Sequence, residues 1–273
     1  MNGTLTDAVR YEWTRITTLR STWWLTGVSA LLGVGIAVLI ALASRSEITG
    51  NGAPAPEDLR LLPAAVASQG ASVFVPYLLA FVVAMIGVFA WGHEYRHGMI
   101  RATLTAAPDR VSVLVAKYAV VGVWVSALAA AVSVVSLLLG AAILSGTGVH
   151  VLSSAGWQMA GRCTVYALLL TWAVSAFTAL VRQQVVALVL MFLWPFVLEN
   201  VVSGIVTGVP WLRDHLAGVV RFLPFDAGQR IIREVDLGGA AQPLTAWQGF
   251  AVFAVFCAAL MAASLALFRK RDA

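Results

Sequence analysis

Charged residues are scarce in this sequence. Only 11% of its 273 residues are Asp, Glu, Lys or Arg, whereas 60% are hydrophobic and the mean hydropathy is +0.87. A water-soluble domain carries about 25% charged residues, and one so poor in charge would expose large apolar patches and aggregate. The scarcity of charge therefore excludes a water-soluble globular domain and indicates that lipid surrounds most of the chain.

Cysteine and lysine are rarer still. The two cysteines, Cys163 and Cys257, lie inside apolar runs and have no metal-site or disulfide spacing, so they are predicted to be small buried hydrophobes. The two lysines, Lys117 and Lys270, follow Ala and Arg. A P-loop needs Gly-Lys followed by Ser or Thr to hold the phosphates of a nucleotide. We therefore expect the chain neither to bind nor to hydrolyse ATP, and to hold no metal or other cofactor.

Six apolar runs are long enough to cross a bilayer, which takes roughly 20 residues of helix. The predicted spans are residues 23–43, 72–91, 113–144, 157–181, 184–206 and 247–268. Helices are predicted because a spanning segment must satisfy its own backbone polar groups. The third run is longer than one span, but no Pro interrupts it, so a single tilted helix is predicted over residues 111–144. The predicted fold is an all-α polytopic membrane protein with a six-helix domain over residues 23–268.

Basic residues near the two ends of the chain predict its orientation. Arg10, Arg15 and Arg20 precede the first span, and Arg-Lys-Arg at 269–271 follows the last. Positive charge is enriched on the cytoplasmic side, so both termini, including a basic tail over 269–273, are predicted to be cytoplasmic in an inner or plasma membrane. The net charge of +5 forms no basic stripe interleaved with aromatic residues, so no nucleic-acid partner is predicted.

Residues 1–22 are predicted to contain an amphipathic helix on the inner membrane surface. Its apolar positions fall within an arc of about 120° at 100° per residue. They are Leu5, Val9, Trp13, Ile16 and Leu19. Glu12 lies inside this arc, and two interpretations stay open: a local ion pair with Arg15 at i+3, or contact with a cytosolic partner.

Two segments on the outer side are predicted to contain short helices. Residues 61–69 follow an Ala-Pro-Ala-Pro turn and are predicted to form a helix on the outer surface. Residues 207–246 are long for a loop and rich in apolar side chains. Short helices that dip toward the outer leaflet and pack against the bundle are therefore predicted there.

The sequence His93-Glu94-Tyr95-Arg96-His97 matches the H-E-x-x-H motif of zinc proteases. On a helix its two histidines would lie one turn apart, with the glutamate as general base. Catalytic zinc needs a third protein ligand, and the remaining histidines, His150 and His215, are predicted on the opposite side of the membrane. An intramembrane metalloprotease is therefore kept only as the alternative function.

Few charges fall inside the predicted spans. Arg162 and Lys117 lie near span ends and are predicted to extend toward water. Glu199 and Asn200 follow the predicted Pro195 kink in the fifth span, where they either line a polar substrate pathway or form a structural pair with Arg162 or an outer arginine. No spaced series of acids and histidines crosses the membrane, which argues against a proton- or sodium-coupled carrier.

The segment between the second and third spans resembles the type-2 ABC-exporter permease family. It reads Glu94-x-x-x-Gly98-x-x-Arg101-x-x-Leu104, then Pro108-x-Arg110 and Lys117. Residues 12–15, Glu-Trp-Thr-Arg, with 19–24, Leu-Arg-Ser-Thr-Trp-Trp, resemble the actinobacterial branch of that family, as do residues 223–229, Leu-Pro-Phe-Asp-Ala-Gly-Gln.

This resemblance implies that residues 98–105 form a cytoplasmic coupling helix that docks in a groove on a separate P-loop ATPase. The residues assigned to this coupling are Glu94, Gly98, Ile100, Arg101, Leu104, Pro108, Arg110 and Glu12. Ile100 and Leu104 form an apolar pair at i,i+4 that suits a protein groove, and Pro108 stops the helix. The other interpretation is a basic loop on anionic lipid.

The resemblance also implies the function. The chain would be a permease subunit rather than an enzyme, and would export a drug, an antibiotic or another amphipathic, lipid-like molecule. ATP and Mg would sit on the ATPase subunit. One chain of six helices is half a pathway in this family, so a homodimer or a second permease chain is implied. A passive membrane scaffold is the remaining competing class.

Overall fold

The computed structural model describes residues 5–50, 56–70, 74–96, 110–233 and 244–270, and every regular element in these ranges is helical. The α-helices are α1 (Leu5–Thr18), α2 (Arg20–Thr49), α3 (Pro56–Ser68), α4 (Phe74–Arg96), α5 (Arg110–Ile143), α6 (Ser154–Val181), α7 (Gln184–Leu193), α8 (Glu199–Gly208), α9 (Pro210–Val220), α10 (Pro224–Gln229) and α11 (Ala246–Lys270). The predicted all-α fold class is confirmed.

Six helical segments are long and apolar enough to cross a membrane, and they coincide with the six predicted runs. They are Arg20–Thr49, Phe74–Gly92, Val111–Ile143, Ser154–Val181, Gln184–Gly208 and Ala246–Phe268. The third is one uninterrupted helix, as predicted, and its 33 residues reach about 50 Å at 1.5 Å per residue. This length lets α5 extend beyond the hydrocarbon region toward α1.

The centre of the bundle is α6, which packs against α3, α4, α5 and α11. Close packing depends on small residues, which let helix backbones approach one another in a membrane. At Gly87 of α4, an added Cβ would lie 2.2 Å from Ser175 Oγ of α6. A larger residue at Gly87 would therefore push these two helices apart.

The fifth span is a helix interrupted at Pro195. A π-helical turn, Trp194–Leu198, separates α7 from α8. Proline donates no backbone hydrogen bond and collides with the preceding turn, so the helix widens there. Asn200 Nδ2 donates to the carbonyls of Pro195 at 3.0 Å and Phe196 at 3.2 Å, so its side chain binds back onto the π-helical turn.

The predicted position of α3 on the outer surface is wrong, because this helix packs inside the bundle against α2, α5 and α6. Val66 and Ala67 have no exposed area. An added Cβ at Gly140 of α5 would lie 2.7 Å from Val66 Cγ1, so the glycine provides the space that α3 occupies. The run from Leu61 to Ala67 is apolar on all sides, a pattern that favours burial over a surface position.

The predicted outer segment divides into two differently placed helices. α10 packs on α11 as predicted, with Phe225 fully buried and Gly228 against the ring of Phe253. α9 has no buried residue, and Trp211 is 65% exposed, so the prediction that it packs against the bundle is wrong. Residues 234–243 of the segment lie outside the described ranges.

Candidate functional site

The amphipathic helix α1 turns a carboxylate toward the bundle. Ala8, Glu12 and Ile16 follow one another at single-turn spacing and are all buried, in a helix that packs along α5. The ring of Trp13 meets that of Trp124 on α5 edge-on, at 5.8 Å between centroids. α1 therefore covers the first part of α5, and the side chain of Glu12 lies in the contact.

Four charged side chains meet where α1 lies across α4 and α5. Glu12, Arg15, Glu94 and Lys117 are here called the charge cluster. Lys117 Nζ lies 2.9 Å from Glu12 Oε1 and 2.8 Å from Glu94 Oε1. Arg15 pairs with the same two carboxylates, at 3.1 Å to Glu12 Oε2 and through Nη1 to Glu94 Oε1. Each cation thus bridges both acids, and three separate helices are joined.

The charge cluster is almost completely removed from solvent. The side chains of Lys117, Glu94 and Glu12 are 0%, 1% and 3% exposed, and that of Arg15 is 13% exposed. Two acids and two bases balance in formal charge, which is the condition under which burying ions is tolerated. Lys117 Nζ also lies 4.9 Å from the centroid of the Trp91 ring, and Arg15 Nη2 donates to the carbonyl of Ala90.

This geometry bears on two sequence predictions. Lys117 was predicted to extend toward water, which is wrong, because α1 covers the beginning of α5 and the ammonium group binds two carboxylates. For Glu12, the local pair with Arg15 is present. With its side chain only 3% exposed, the carboxylate of Glu12 offers no surface to a second protein in this structure.

Comparison with protein-family models places residues 34–273 in a family described as a protein of unknown function, DUF2705. The chain belongs to the DUF2705 family. No curated protein matches it. The matched region includes Glu94 and Lys117 but begins after α1, so Glu12 and Arg15 lie outside it. Because the family description names no activity, a functional argument for this DUF2705 chain depends on its geometry.

The charge cluster includes one residue on each side of the segment that was predicted to dock on an ATPase. Glu94 is two residues before the end of α4, and Lys117 is seven residues after the start of α5. Of the predicted coupling residues, Glu12 and Glu94 are brought together. The main chain of Arg110 begins α5, whereas five further members fall outside the described ranges: Gly98, Ile100, Arg101, Leu104 and Pro108.

The H-E-x-x-H motif of this DUF2705 chain contributes its glutamate to the charge cluster. Glu94 Oε1 accepts from both Arg15 and Lys117. A zinc-protease base must instead take a proton from the metal-bound water. Within the described ranges, no three His, Cys, Asp or Glu side chains are placed to hold a metal. His97 lies outside these ranges, as does the side chain of His93, and no observation favours the protease.

The residues predicted to line a substrate pathway have separate positions in the fifth span. The buried carboxylate of Glu199 accepts the backbone N–H groups of Phe225 at 3.0 Å and Asp226 at 2.8 Å. These amides open α10, so Glu199 holds the first turn of α10 against the bundle. Pro195 is buried in the π-helical turn, and Asn200 is exposed on the outside of the span. The carboxylate of Glu199 thus binds two backbone N–H groups. The structural pair considered from the sequence was with an arginine instead.

Proposed function

We propose that this chain is the membrane-spanning permease subunit of an ATP-driven exporter and that it works with a separate P-loop ATPase. The observation that carries the proposal is the charge cluster at the ends of residues 97–109. Six membrane-spanning helices and a basic amphipathic helix at the N-terminus agree with it. The chain has no P-loop lysine, so the energy for transport would come from the partner.

The charge cluster gives residues 97–109 a mechanical connection to the bundle. A docking segment transmits force only if its two ends are fixed to elements that move together. Both ends are fixed here, because Glu94 on α4 binds Arg15 of α1, Lys117 on α5 binds Glu12 of α1, and Glu94 and Lys117 bind each other. Buried ionic groups in membrane proteins are costly and are typical of functional positions.

The proposed assembly contains at least a second permease chain and the ATPase. The six spans of one chain would supply half of the pathway, in a homodimer or a heterodimer. The substrate class implied is a hydrophobic or amphipathic molecule, exported by access from lipid. This substrate class comes from the family resemblance alone.

The proposal is tested by isolating the chain with its partners. Mild detergent extraction of the tagged full-length chain should recover a second polypeptide that carries a P-loop, in stoichiometric amount. Addition of the purified permease should stimulate the ATPase activity of that polypeptide. A chain recovered alone, stable and without a P-loop partner under several mild detergents, would contradict the proposal.

The orientation required by this function is also testable. In a background with Cys163→Ser and Cys257→Ser, a cysteine introduced as Ser145→Cys or Gly238→Cys should react with an impermeant thiol reagent added outside cells. One introduced as Asp272→Cys should react only after the membrane is opened, because the basic ends are expected inside. The reverse pattern would place residues 97–109 outside, where they have no access to ATP.

A further inference from the structure

The helix α3 enters the bundle without crossing it. Its 13 residues reach about 20 Å at 1.5 Å per residue, short of the roughly 30 Å of a hydrocarbon core. α2 ends beside the end of α5, where Arg45 donates to the carbonyl of Ile143, and α4 runs from that side to Glu94 in the charge cluster. The chain therefore passes into α3 and out of it at one end of the bundle, opposite the charge cluster.

Contacts along α3 show that it points inward from that end. Pro63 lies beside the start of α6, because a Cβ added at Gly156 would be 3.6 Å from Pro63 Cβ. Further along the chain, Gln69 Nε2 lies 3.4 Å from Ser133 Oγ, and Ser133 is ten residues before the end of α5. Ten residues of helix are about 15 Å long. The turn that ends α3 therefore lies well inside the bundle rather than at its rim.

The inner part of α3 is held by packing. Every residue from Leu62 to Gln69 is buried except Ala65, which is half-buried, and no side chain in this stretch is charged. At Gly33 of α2, an added Cβ would lie 3.7 Å from Gln69 Cγ, in ordinary van der Waals contact. Helices in a membrane associate largely by such packing. This part of α3 can therefore leave its place without separating a buried ion pair.

The inner end of α3 combines a strained backbone with incomplete packing. Gln69 has a φ of 60°, a left-handed conformation that is uncommon for residues other than glycine. A partly open cavity of about 40 Å³ lies beside it, with mainly apolar walls that include Gly33, Leu79, Val132 and Cys163 from four different helices. Protein interiors have few such voids, and strained backbone persists at sites that switch between conformations. Both features fit an element that is packed in one state and moves in another.

We propose that α3 is a plug, which closes the bundle at the end opposite the charge cluster and withdraws to open a path from that end to the cavity. Withdrawal is sterically possible because both connections of α3 lie at this end, so no part of the chain has to pass through the bundle. The inference rests on the proposed permease function, for which this path is the last part of the way out. The plug itself can be tested without transport.

The native thiol of Cys163 reports whether α3 is in place, because Cys163 lines the cavity. In lipid nanodiscs, the positively charged reagent trimethylammonium-ethyl methanethiosulfonate reaches the full chain from water but not through lipid. In the unmodified chain, α3 should protect Cys163 from this reagent. Peptide mass spectrometry measures the rate of labelling at each cysteine.

Two variants should displace α3. Gly140→Leu should do so because even a Cβ at this position would lie 2.7 Å from Val66 Cγ1. Val66→Asp should do so because the new charge would be buried without a partner. Each variant should raise the labelling rate of Cys163 at least about tenfold, since the thiolate that reacts forms where water reaches it.

Two controls show that the bundle itself stays folded. Cys257 is 1% exposed and its Sγ donates to the carbonyl of Leu169, so it should stay unmodified in every folded variant. Gly204→Leu is the matched control for Gly140→Leu, because a Cβ added at Gly204 meets nothing within 4 Å, and it should leave Cys163 protected. Slow labelling of Cys163 in a folded displacing variant would overturn the plug, and so would rapid labelling in the unmodified chain.

A disulfide across the same contact should hold the plug in place. In a Cys257→Ser background, Val66→Cys combined with Gly140→Cys places the two Cβ atoms 3.7 Å apart, within the range of about 3.5–4.5 Å that a disulfide requires. When the chain is assembled with its ATPase, ATP hydrolysis should expose Cys163 to the reagent in the reduced form. Oxidation should abolish this increase, and reduction should restore it. The pair Val66→Ser and Gly140→Ser, which cannot form the bridge, should keep the increase under the same oxidant.

The two experiments separate the plug from the permease function. If the chain has no ATPase partner, the proposed function fails, and the labelling of the displaced variants still decides whether α3 closes the bundle. If the partner is present and the oxidised chain exposes Cys163 as fast as the serine pair does, the plug is overturned while the permease function stands.

Discussion

Lys117→Met should destabilise the chain by about 3–5 kcal/mol, the range measured when one partner of a buried ion pair is removed. Methionine retains most of the volume of lysine but leaves Glu12 and Glu94 with Arg15 as their one remaining cation in the charge cluster. The excess negative charge would then be buried in a contact between three helices. The loss of stability is measured by heating the detergent-solubilised chain and using size-exclusion chromatography to quantify the folded fraction that remains.

The matched control for this prediction is Arg10→Met. Arg10 is an exposed cation on α1, so its replacement should change stability by no more than about 0.5 kcal/mol. Glu12→Gln combined with Lys117→Met restores the charge balance and keeps Arg15 beside Glu94. This double variant should be more stable than Lys117→Met alone. Simple addition of the two single losses would show that the four charges do not act as a unit.

The spans were predictable because their signal is local. Each spanning helix satisfies its own backbone in lipid, so an apolar run of sufficient length identifies it without knowledge of its neighbours. The ion pair between Glu12 and Arg15 could also be predicted from local sequence, since residues three apart on a helix are adjacent. Even the uninterrupted third span followed from the lack of Pro in one stretch of sequence.

The charge cluster was not predicted as a whole because its contacts join distant parts of the chain. Glu94 is 23 residues from Lys117 and 79 from Arg15 along the sequence. The expectation that Lys117 extends to water treated α5 as an isolated helix, although α1 covers it. One signal was present: Glu12 and Lys117 are opposite charges that each interrupt an apolar surface, and buried charges need partners.

The surroundings of Glu199 and the position of α3 were not predicted, because both depend on backbone geometry that the pattern of side chains in the sequence does not reveal. For Glu199, the sequence left open a place in a substrate pathway or a pair with an arginine, but the partners found for its carboxylate are the N–H groups of Phe225 and Asp226. The free amides at a helix N-terminus attract a carboxylate as a cation does, and Pro224 marks such a start. The burial of α3 likewise depended on space left by glycines of other helices, such as Gly140.

If the chain is the proposed permease, Leu104→Asp should separate it from its ATPase while the membrane bundle stays folded. Leu104 lies outside the described ranges, and the docking role proposed for it comes from the family resemblance, with which its apolar pair with Ile100 in the sequence agrees. In a docking groove, an aspartate at this position would bury an unpaired charge at a cost of several kcal/mol. A micromolar contact is worth about 8 kcal/mol, so most of the complex would dissociate. Co-purification and the stimulated ATPase rate measure the effect.

Arg101→Ala is the graded control for this experiment. A charge at the rim of an interface contributes mainly to the association rate, so its loss should weaken assembly by only about 1 kcal/mol. With Leu104→Asp, the basal ATPase activity of the partner should persist, while its stimulation and substrate export fall together. Intact assembly and transport in the Leu104→Asp chain would exclude residues 98–105 as the docking helix. The exposed side of α1, which carries Tyr11, would then be the surface to test, because Glu12 is buried in the charge cluster.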